Sequence, residues 1–240
     1  MHASPYSWLM LAGIVVTLFF WSRLARRDSR LLIIYVAALT SAFVGAKLVY
    51  LVAEGWMFWD SPDRWLILAT GKSILGALLG GYAGVEIAKK LLHYPTPTGD
   101  FFAFVAPVGI AIGRIGCLLH GCCRGRVCAR PAWWTVEDMR GLPLWPAVQV
   151  EMAFNLAILL VFLGIHWQRT RRGTATLRGQ LFHVYLIAYG LFRFAHEFTR
   201  ATPRIGGGLS GYHWAALAVA ALGVVGYLRR ARRPLGTPIS

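Results

Sequence analysis

Two stretches of this sequence carry residues whose types and spacing could do chemistry. The first holds Arg193, Glu197 and Arg200. Their i, i+4, i+7 spacing puts them on one face of a helix. They sit in an apolar run, where a charge costs about 3 kcal/mol or more and demands a partner or a role. Glu197 can neutralise one of the two arginines. The other is left to seek an anion, and a guanidinium takes a phosphate through two parallel hydrogen bonds. Arg114, Lys47 and Lys72 lie in three further apolar runs and could add to the same positive pocket. The second stretch is GRIGCLLHGCCRG, Gly113–Gly125: an arginine followed by a glycine-punctuated helix exit. His120 lies among Cys117, Cys122 and Cys123, with Cys128 just beyond. Three readings of these thiols stay open. Cys and His are zinc ligands, but CxxxxCC with one histidine is no standard ligand spacing, and no metal site is assigned. Disulfides among Cys117, Cys122, Cys123 and Cys128 would pin a loop on the oxidising side of a membrane. A thiol made reactive by Arg114 and Arg124 is the third.

The elements that must position these groups follow from composition. The chain has 240 residues, 57% of them apolar and only 15% charged, with a net charge of +15. A soluble domain carries about 25% charged residues, so an ordinary cytosolic enzyme and a disordered chain are both excluded. A membrane-crossing helix needs about 20 apolar residues. Seven segments qualify: Tyr6–Leu24, Leu31–Val52, Trp65–Ala88, Phe101–Leu119, Ala147–Trp167, Gln180–Phe198 and Leu209–Leu228. Backbone groups in hydrocarbon must be satisfied internally, which makes these helices. The expected fold is an all-α, polytopic membrane protein, with one transmembrane domain over residues 1–240. The first segment lacks the basic start and cleavage site of a signal peptide and is read as a retained helix.

Basic residues set the orientation. Arg23, Arg26, Arg27 and Arg30, then Lys89 and Lys90, then Arg169, Arg171, Arg172 and Arg178, then Arg229, Arg230, Arg232 and Arg233 crowd one side. That side is cytoplasmic, so the N-terminus is outside and the C-terminus inside. The polar residues of the spans then fall at one depth, toward the outer leaflet: Tyr6, Lys47, Lys72, Ser73, Arg114, Gln149, Glu151, Asn155, Arg193, Glu197 and Arg200. On the inner side only Glu86 compares, and Lys89 or Lys90 can pair with it one turn on. The outer loop 121–146 holds Cys122, Cys123 and Cys128 and four arginines, either meeting anionic headgroups or merely polar. Gly76, Gly80 and Gly84 recur every four residues, a spacing that lets helices pack closely.

Several of these pieces, in this order, resemble the prolipoprotein diacylglyceryl transferase family. GRIGCLLHGCCRGR, from Gly113 to Arg126, looks like the family signature GRIGNFINGELYGR. AYGLFRFAHEFTR, Ala188–Arg200, is similar to YGxxRFxxEFxR. LWPAVQVE at Leu144–Glu151 resembles HPTQLYEA, SILGALLGG at Ser73–Gly81 resembles SFHGGLIGG, and GAKLVY at Gly45–Tyr50 resembles GARLGYV. The resemblance implies an enzyme that moves the diacylglyceryl group of phosphatidylglycerol onto the lipobox cysteine of a preprolipoprotein signal peptide and releases glycerol-1-phosphate. It implies a multi-pass protein of the bacterial cytoplasmic membrane, with its active site toward the outer leaflet and no cofactor. By matching position, Arg114 and Arg193 would bind or polarise the phosphate, Glu197 would orient an arginine and Arg200 would guard the outer mouth. Gly113, Gly116, Gly121 and Gly125 would shape the loop, with Lys47, Ser73, Tyr6 and Gln149 lining the substrate site. The family's asparagines fall at Cys117 and His120 here, its glutamate at Cys122 and its third-helix histidine at Leu75. His120 could replace the missing base, since imidazole titrates near neutrality.

Competing readings are a paralogue with another acceptor, and a membrane protein handling redox or metal chemistry at the outer cysteines. A nucleic-acid partner is not expected, because the arginines flank helices as membrane topology requires.

Overall fold

The computed structural model describes residues 15, 19, 22, 26, 28–138, 140–173, 177–205 and 207–232. The expected first span, Tyr6–Leu24, lies outside the described residues except at Val15, Phe19 and Ser22, and Tyr6 lies outside them too. The described helices are α1 (Arg30–Ala53), α2 (Arg64–Thr70), α3 (Ile74–Leu91), α4 (Gly99–His120), α5 (Ala147–Arg172), α6 (Leu181–Glu197) and α7 (Gly211–Ala231). A 3-10 turn at Gly55–Phe58 and two short strands, β1 (Val136–Glu137) and β2 (Pro143–Leu144), complete the described elements. Helices α1, α4, α5 and α7 are each long and apolar enough to cross a membrane, and α2 with α3 makes a fifth candidate if counted as one bent span. The chain is therefore a mostly helical, multi-pass membrane protein. Helix α6 has 17 residues, about 25 Å of rise.

The chain divides into two compact units. Among the described residues, one unit holds 19, 22, 26, 28–97, 183–194, 203–205 and 207–232. Its centre is α1 against α3. A Cβ on Gly76 would run into the Gly45 carbonyl oxygen, one on Gly80 into that of Ser41, and one on Gly84 into the Ser41 side chain. The four-residue glycine spacing thus lets two backbones touch, as expected. Gly190 of α6 and Gly223 of α7 meet the facing helix in the same way, at Ala216–Ala220 and at His183–Ile187. Lys89 pairs with Glu86 across one turn at 3.8 Å. The apolar outer faces stay bare, Val52 being 78% exposed and Leu91 73%, as helices that face lipid require.

The third expected span, Trp65–Ala88, is not one helix. It breaks at Gly71–Ser73, and its two halves are bent by 53°. The physical cause is local. Gly71 and Ser73 are both extended, and the Ser73 Oγ caps α3 by accepting from the Gly76 N–H at 3.4 Å. The Ser73 N–H donates to the Ala46 carbonyl at 3.0 Å. Lys47 donates its Nζ to the Gly71 carbonyl at 3.3 Å. Backbone groups freed at membrane depth must find such partners, and α1 supplies them.

The other unit holds 98–182 and 195–202, with α4 lying along α5. Asp100 ties its helix ends together. Its Oδ2 accepts from Arg169 Nη1 at 3.0 Å and from the Gly179 N–H at 2.9 Å. The described residues of loop 121–146 form a hairpin-like layer. Val136 pairs with Leu144 and Glu137 with Pro143. Cys128 N–H donates to the Pro143 carbonyl at 2.8 Å, and Trp145 N–H to that of Arg126 at 2.9 Å.

The α1–α3 contact yields a direct expectation. Gly80→Leu should lower the thermal midpoint in detergent by an amount equivalent to about 1–3 kcal/mol, the usual cost of overpacking. Gly164→Ala, where an added Cβ meets nothing within 4 Å, should leave it unchanged.

Candidate active site: two buried arginines on one carboxylate

Three elements of the second unit converge on Glu151, whose residue exposure is 0%. Helix α4 brings Arg114, two turns before its end. Helix α5 starts after Pro146 and places Glu151 in its second turn. The end of α6 brings Glu197, and the three residues that follow carry the chain to Arg200. Arg114 Nη2 donates to Glu151 Oε2 at 2.6 Å. Arg200 Nη1 lies 3.7 Å from the same oxygen, and its Nε 3.7 Å from Glu197 Oε2. Thr202 Oγ1 donates to Glu197 Oε1 at 2.5 Å. Asn155, also fully buried, donates to the Glu151 backbone carbonyl at 2.8 Å.

The Arg200 contacts are ionic but too long to be hydrogen bonds. Its Nε and Nη1 are buried and reach no hydrogen-bond partner among the described residues. A guanidinium has five N–H donors in a rigid fork, and leaving buried ones unmade is costly. An oxyanion entering beside Glu197 and Glu151 would satisfy them.

Loop 121–146 fixes Arg200 from the other side. Gly125 pairs with Arg200 as an antiparallel bridge. Arg126 N–H donates to the Thr199 carbonyl at 2.9 Å, and Ala201 N–H to that of Arg124 at 3.3 Å. Arg126 Nη1 reaches the Phe198 carbonyl at 3.1 Å. A Cβ at Gly125 would strike the Trp145 carbonyl, so the signature glycine here permits a close approach. Of the loop arginines, Arg124 lies 3.9 Å from Asp138. Asp138 itself is held below the usual carboxylate range by the Leu142 and Arg140 backbone N–H groups.

The expected disulfides are not present: Cys117, Cys122, Cys123 and Cys128 are all free thiols. Helix α4 ends at Gly121, which is left-handed at φ 64, and the Cys122 N–H folds back onto the Cys117 carbonyl at 3.2 Å. Cys123 is left-handed as well, at φ 61. These two turns gather the Sγ atoms of Cys117, Cys122 and Cys123 within 4.8 Å of one another, while Cys128 is held by its backbone bond to Pro143. Hydrogen bonds from Cys117 and Cys122 pull the Cys123 thiol well below its ordinary range, with Arg114 and Arg200 adding positive charge. Cys122 is pushed the opposite way by bonding to Cys117 and Cys123. Arg114 Nη1 also lies 3.7 Å from Cys117 Sγ.

The other expected residues are distributed as follows. Arg193 is buried in the first-described unit, four residues before Glu197 on α6. Lys47 and Ser73 belong to that unit too and spend their polar groups on the α2–α3 break. Gln149 is half-buried in the first turn of α5, and His120 is exposed on the last turn of α4, not gathered with the buried charges. Gly113 and Gly116 flank Arg114 on α4; an added Cβ at Gly113 would meet nothing within 4 Å. Glu151 and Asn155 were expected at the outer-leaflet depth but were given no role there, and Thr202 was not expected at all. Glu151 carried a signal, being a carboxylate inside an apolar run and the last residue of LWPAVQVE. Thr202 carried none.

The family model for "Prolipoprotein diacylglyceryl transferase" matches residues 1–229. A phosphatidylglycerol–prolipoprotein diacylglyceryl transferase of Dehalococcoides mccartyi is 28% identical over 247 residues, covering 95% of this chain and 89% of that protein. The enzyme of the same name from Paracidovorax citrulli is 28% identical over 80% of this chain and 73% of its own length. That from Bordetella parapertussis is 32% identical over 65% of this chain and 61% of its own. With a match running almost from end to end, and through the segments that carry Arg114, Glu151 and Arg200, this chain belongs to the prolipoprotein diacylglyceryl transferase family.

Proposed function

We propose that this chain transfers the diacylglyceryl group of phosphatidylglycerol to the thiol of a lipobox cysteine in preprolipoprotein signal peptides. The carrying observation is the buried pair Arg114 and Arg200 on Glu151, with Arg200 N–H groups awaiting an acceptor. The sulfur would form a bond to the glyceryl carbon that bears the phosphate ester. The C–O bond to phosphate breaks, its electron pair leaves with glycerol-1-phosphate, and the thiol proton passes to a base. Charge grows on the phosphate oxygens as that bond breaks. Guanidinium donors fixed beforehand in a site shielded from water stabilise such charge without reorganising.

Arg114 and Arg200 would grip the phosphate, Glu151 would hold both guanidiniums in place, and Glu197 would orient Arg200. Arg193, by its match to the family motif, would supply a further phosphate-binding group. Gly121 and Gly125 would set the loop. The reading also takes seven spans, an outer N-terminus, a cytoplasmic C-terminus and a site facing the outer leaflet of the bacterial cytoplasmic membrane. The arginine distribution supports that orientation. His120 would accept the thiol proton.

The test incubates purified protein with phosphatidylglycerol and a lipobox peptide, and reads the diacylglyceryl mass on cysteine by mass spectrometry. Arg114→Ala and Arg200→Ala should each slow transfer by about 100-fold or more, the scale for losing a charge-stabilising donor. Arg114→Lys should recover little, because a point charge cannot reproduce the fork. No transfer beside an active relative in the same detergent, or full activity in Arg114→Ala, would sink the proposal. His120→Ala should slow transfer and flatten the acid limb of the pH–rate profile. Full activity would move the base elsewhere.

A further inference from the structure

One cluster in the second unit has no part in the transfer just proposed. We infer that Cys117, Cys122 and Cys123 form a binding site for a soft, thiophilic metal ion of the Cu(I) class, coordinated by three thiolates. Their Sγ atoms lie within 4.8 Å of one another. Around one ion, with metal–sulfur bonds of about 2.3 Å, sulfurs stand roughly 4 Å apart. Small rotations about the cysteine side chains close that difference.

The ligand set argues for the class of ion. Thiolates select soft metals, whereas imidazole, carboxylate and water suit harder ones. No histidine or carboxylate joins this group among the described residues, and His120, although adjacent in sequence, is not part of it. Structural zinc takes four protein ligands; three sulfurs alone fit a three-coordinate monovalent ion. The backbone is shaped for the cluster. Cys123 holds a left-handed conformation, φ 61, that residues with a side chain rarely adopt. Together with Gly121 this folds adjacent cysteines back over the helix end. Cys122 is exposed and Cys117 half-buried, so an ion can reach the sulfurs from outside.

The surroundings suit an anionic complex. A monovalent ion with three thiolates carries two net negative charges. Arg114 Nη1, 3.7 Å from Cys117 Sγ, would donate to a ligand sulfur, the kind of outer contact that orients and tunes metal ligands. Binding releases the thiol protons to solvent and changes no oxidation state when the ion is supplied as Cu(I).

The full chain, purified in detergent, reduced and kept anaerobic, would be titrated with Cu(I) against a coloured Cu(I) chelator. One equivalent should bind, with an ultraviolet thiolate-to-copper band. Cys122→Ser and Cys123→Ser should each weaken binding by at least about 10-fold, while Cys128→Ser should leave it unchanged. Cys122 is exposed, so its variant should fold, and an unchanged thermal midpoint of the copper-free protein would check this. Absence of binding, equal binding by the Cys117→Ser/Cys122→Ser/Cys123→Ser protein, or capture of Zn(II) in preference to Cu(I) would each overturn the assignment. None of these readouts depends on transfer activity, so the result stands apart from the fate of the proposed reaction.

Discussion

A fully buried carboxylate, Glu151, governs how the second unit is built. Placing a charge away from water is expensive, and attraction to a partner repays that only when geometry is good. Glu151 meets the condition with a 2.6 Å bond from Arg114 and a second guanidinium, Arg200, at 3.7 Å. The requirement runs both ways. Arg114 and Arg200 are themselves buried, at 4% and 7% exposure, and Glu151 supplies each with opposite charge, beside Glu197 in the case of Arg200. One carboxylate thereby fixes the relative placement of α4, the start of α5 and the chain leaving α6.

The loop between α4 and α5 answers the same constraint from outside. Arg200, three residues past the end of α6, is held in place through its backbone. Its backbone pairs with Gly125, and Thr199 and Ala201 bond to Arg126 and Arg124. A loop that zips onto the end of α6 carries the consequences of α4's exit directly to a site arginine. The same exit gathers three sulfurs beside Arg114, so the guanidinium that grips Glu151 also touches the thiol cluster through Cys117. Family members with asparagine and glutamate at these positions would have hard polar groups where this chain has soft ones.

The first-described unit solves a different problem, which is how to break a helix at membrane depth. Gly71–Ser73 leaves backbone groups that water cannot reach, and Lys47, the Ala46 carbonyl and the Ser73 hydroxyl take them up. Close contact between α1 and α3, allowed by Gly45, Gly76 and Gly80, is what brings those partners within reach. Lysine and serine at these positions read in the sequence as ligand-binding groups. In the folded chain they repair a backbone.

Apolar run lengths, basic flanks and glycine spacing determined the membrane class, most helix positions and the α1–α3 packing, because each is a local property with a fixed period or length. The motif arginines, Arg114 and Arg200, were legible for a related reason: a charge in an apolar run is costly wherever it ends up. What the sequence left open was partner choice. Glu197 read as the neutraliser of Arg193 or Arg200 by helical spacing, and it does lie 3.7 Å from Arg200, whereas the bond from Arg114 to Glu151, 37 residues away, follows no helical spacing. The four cysteines left disulfide, metal and reactive-thiol readings open, and two left-handed turns bring three of them together as free thiols. Pairing across long stretches of chain depends on where helices cross and how a loop turns back, and no local pattern encodes either.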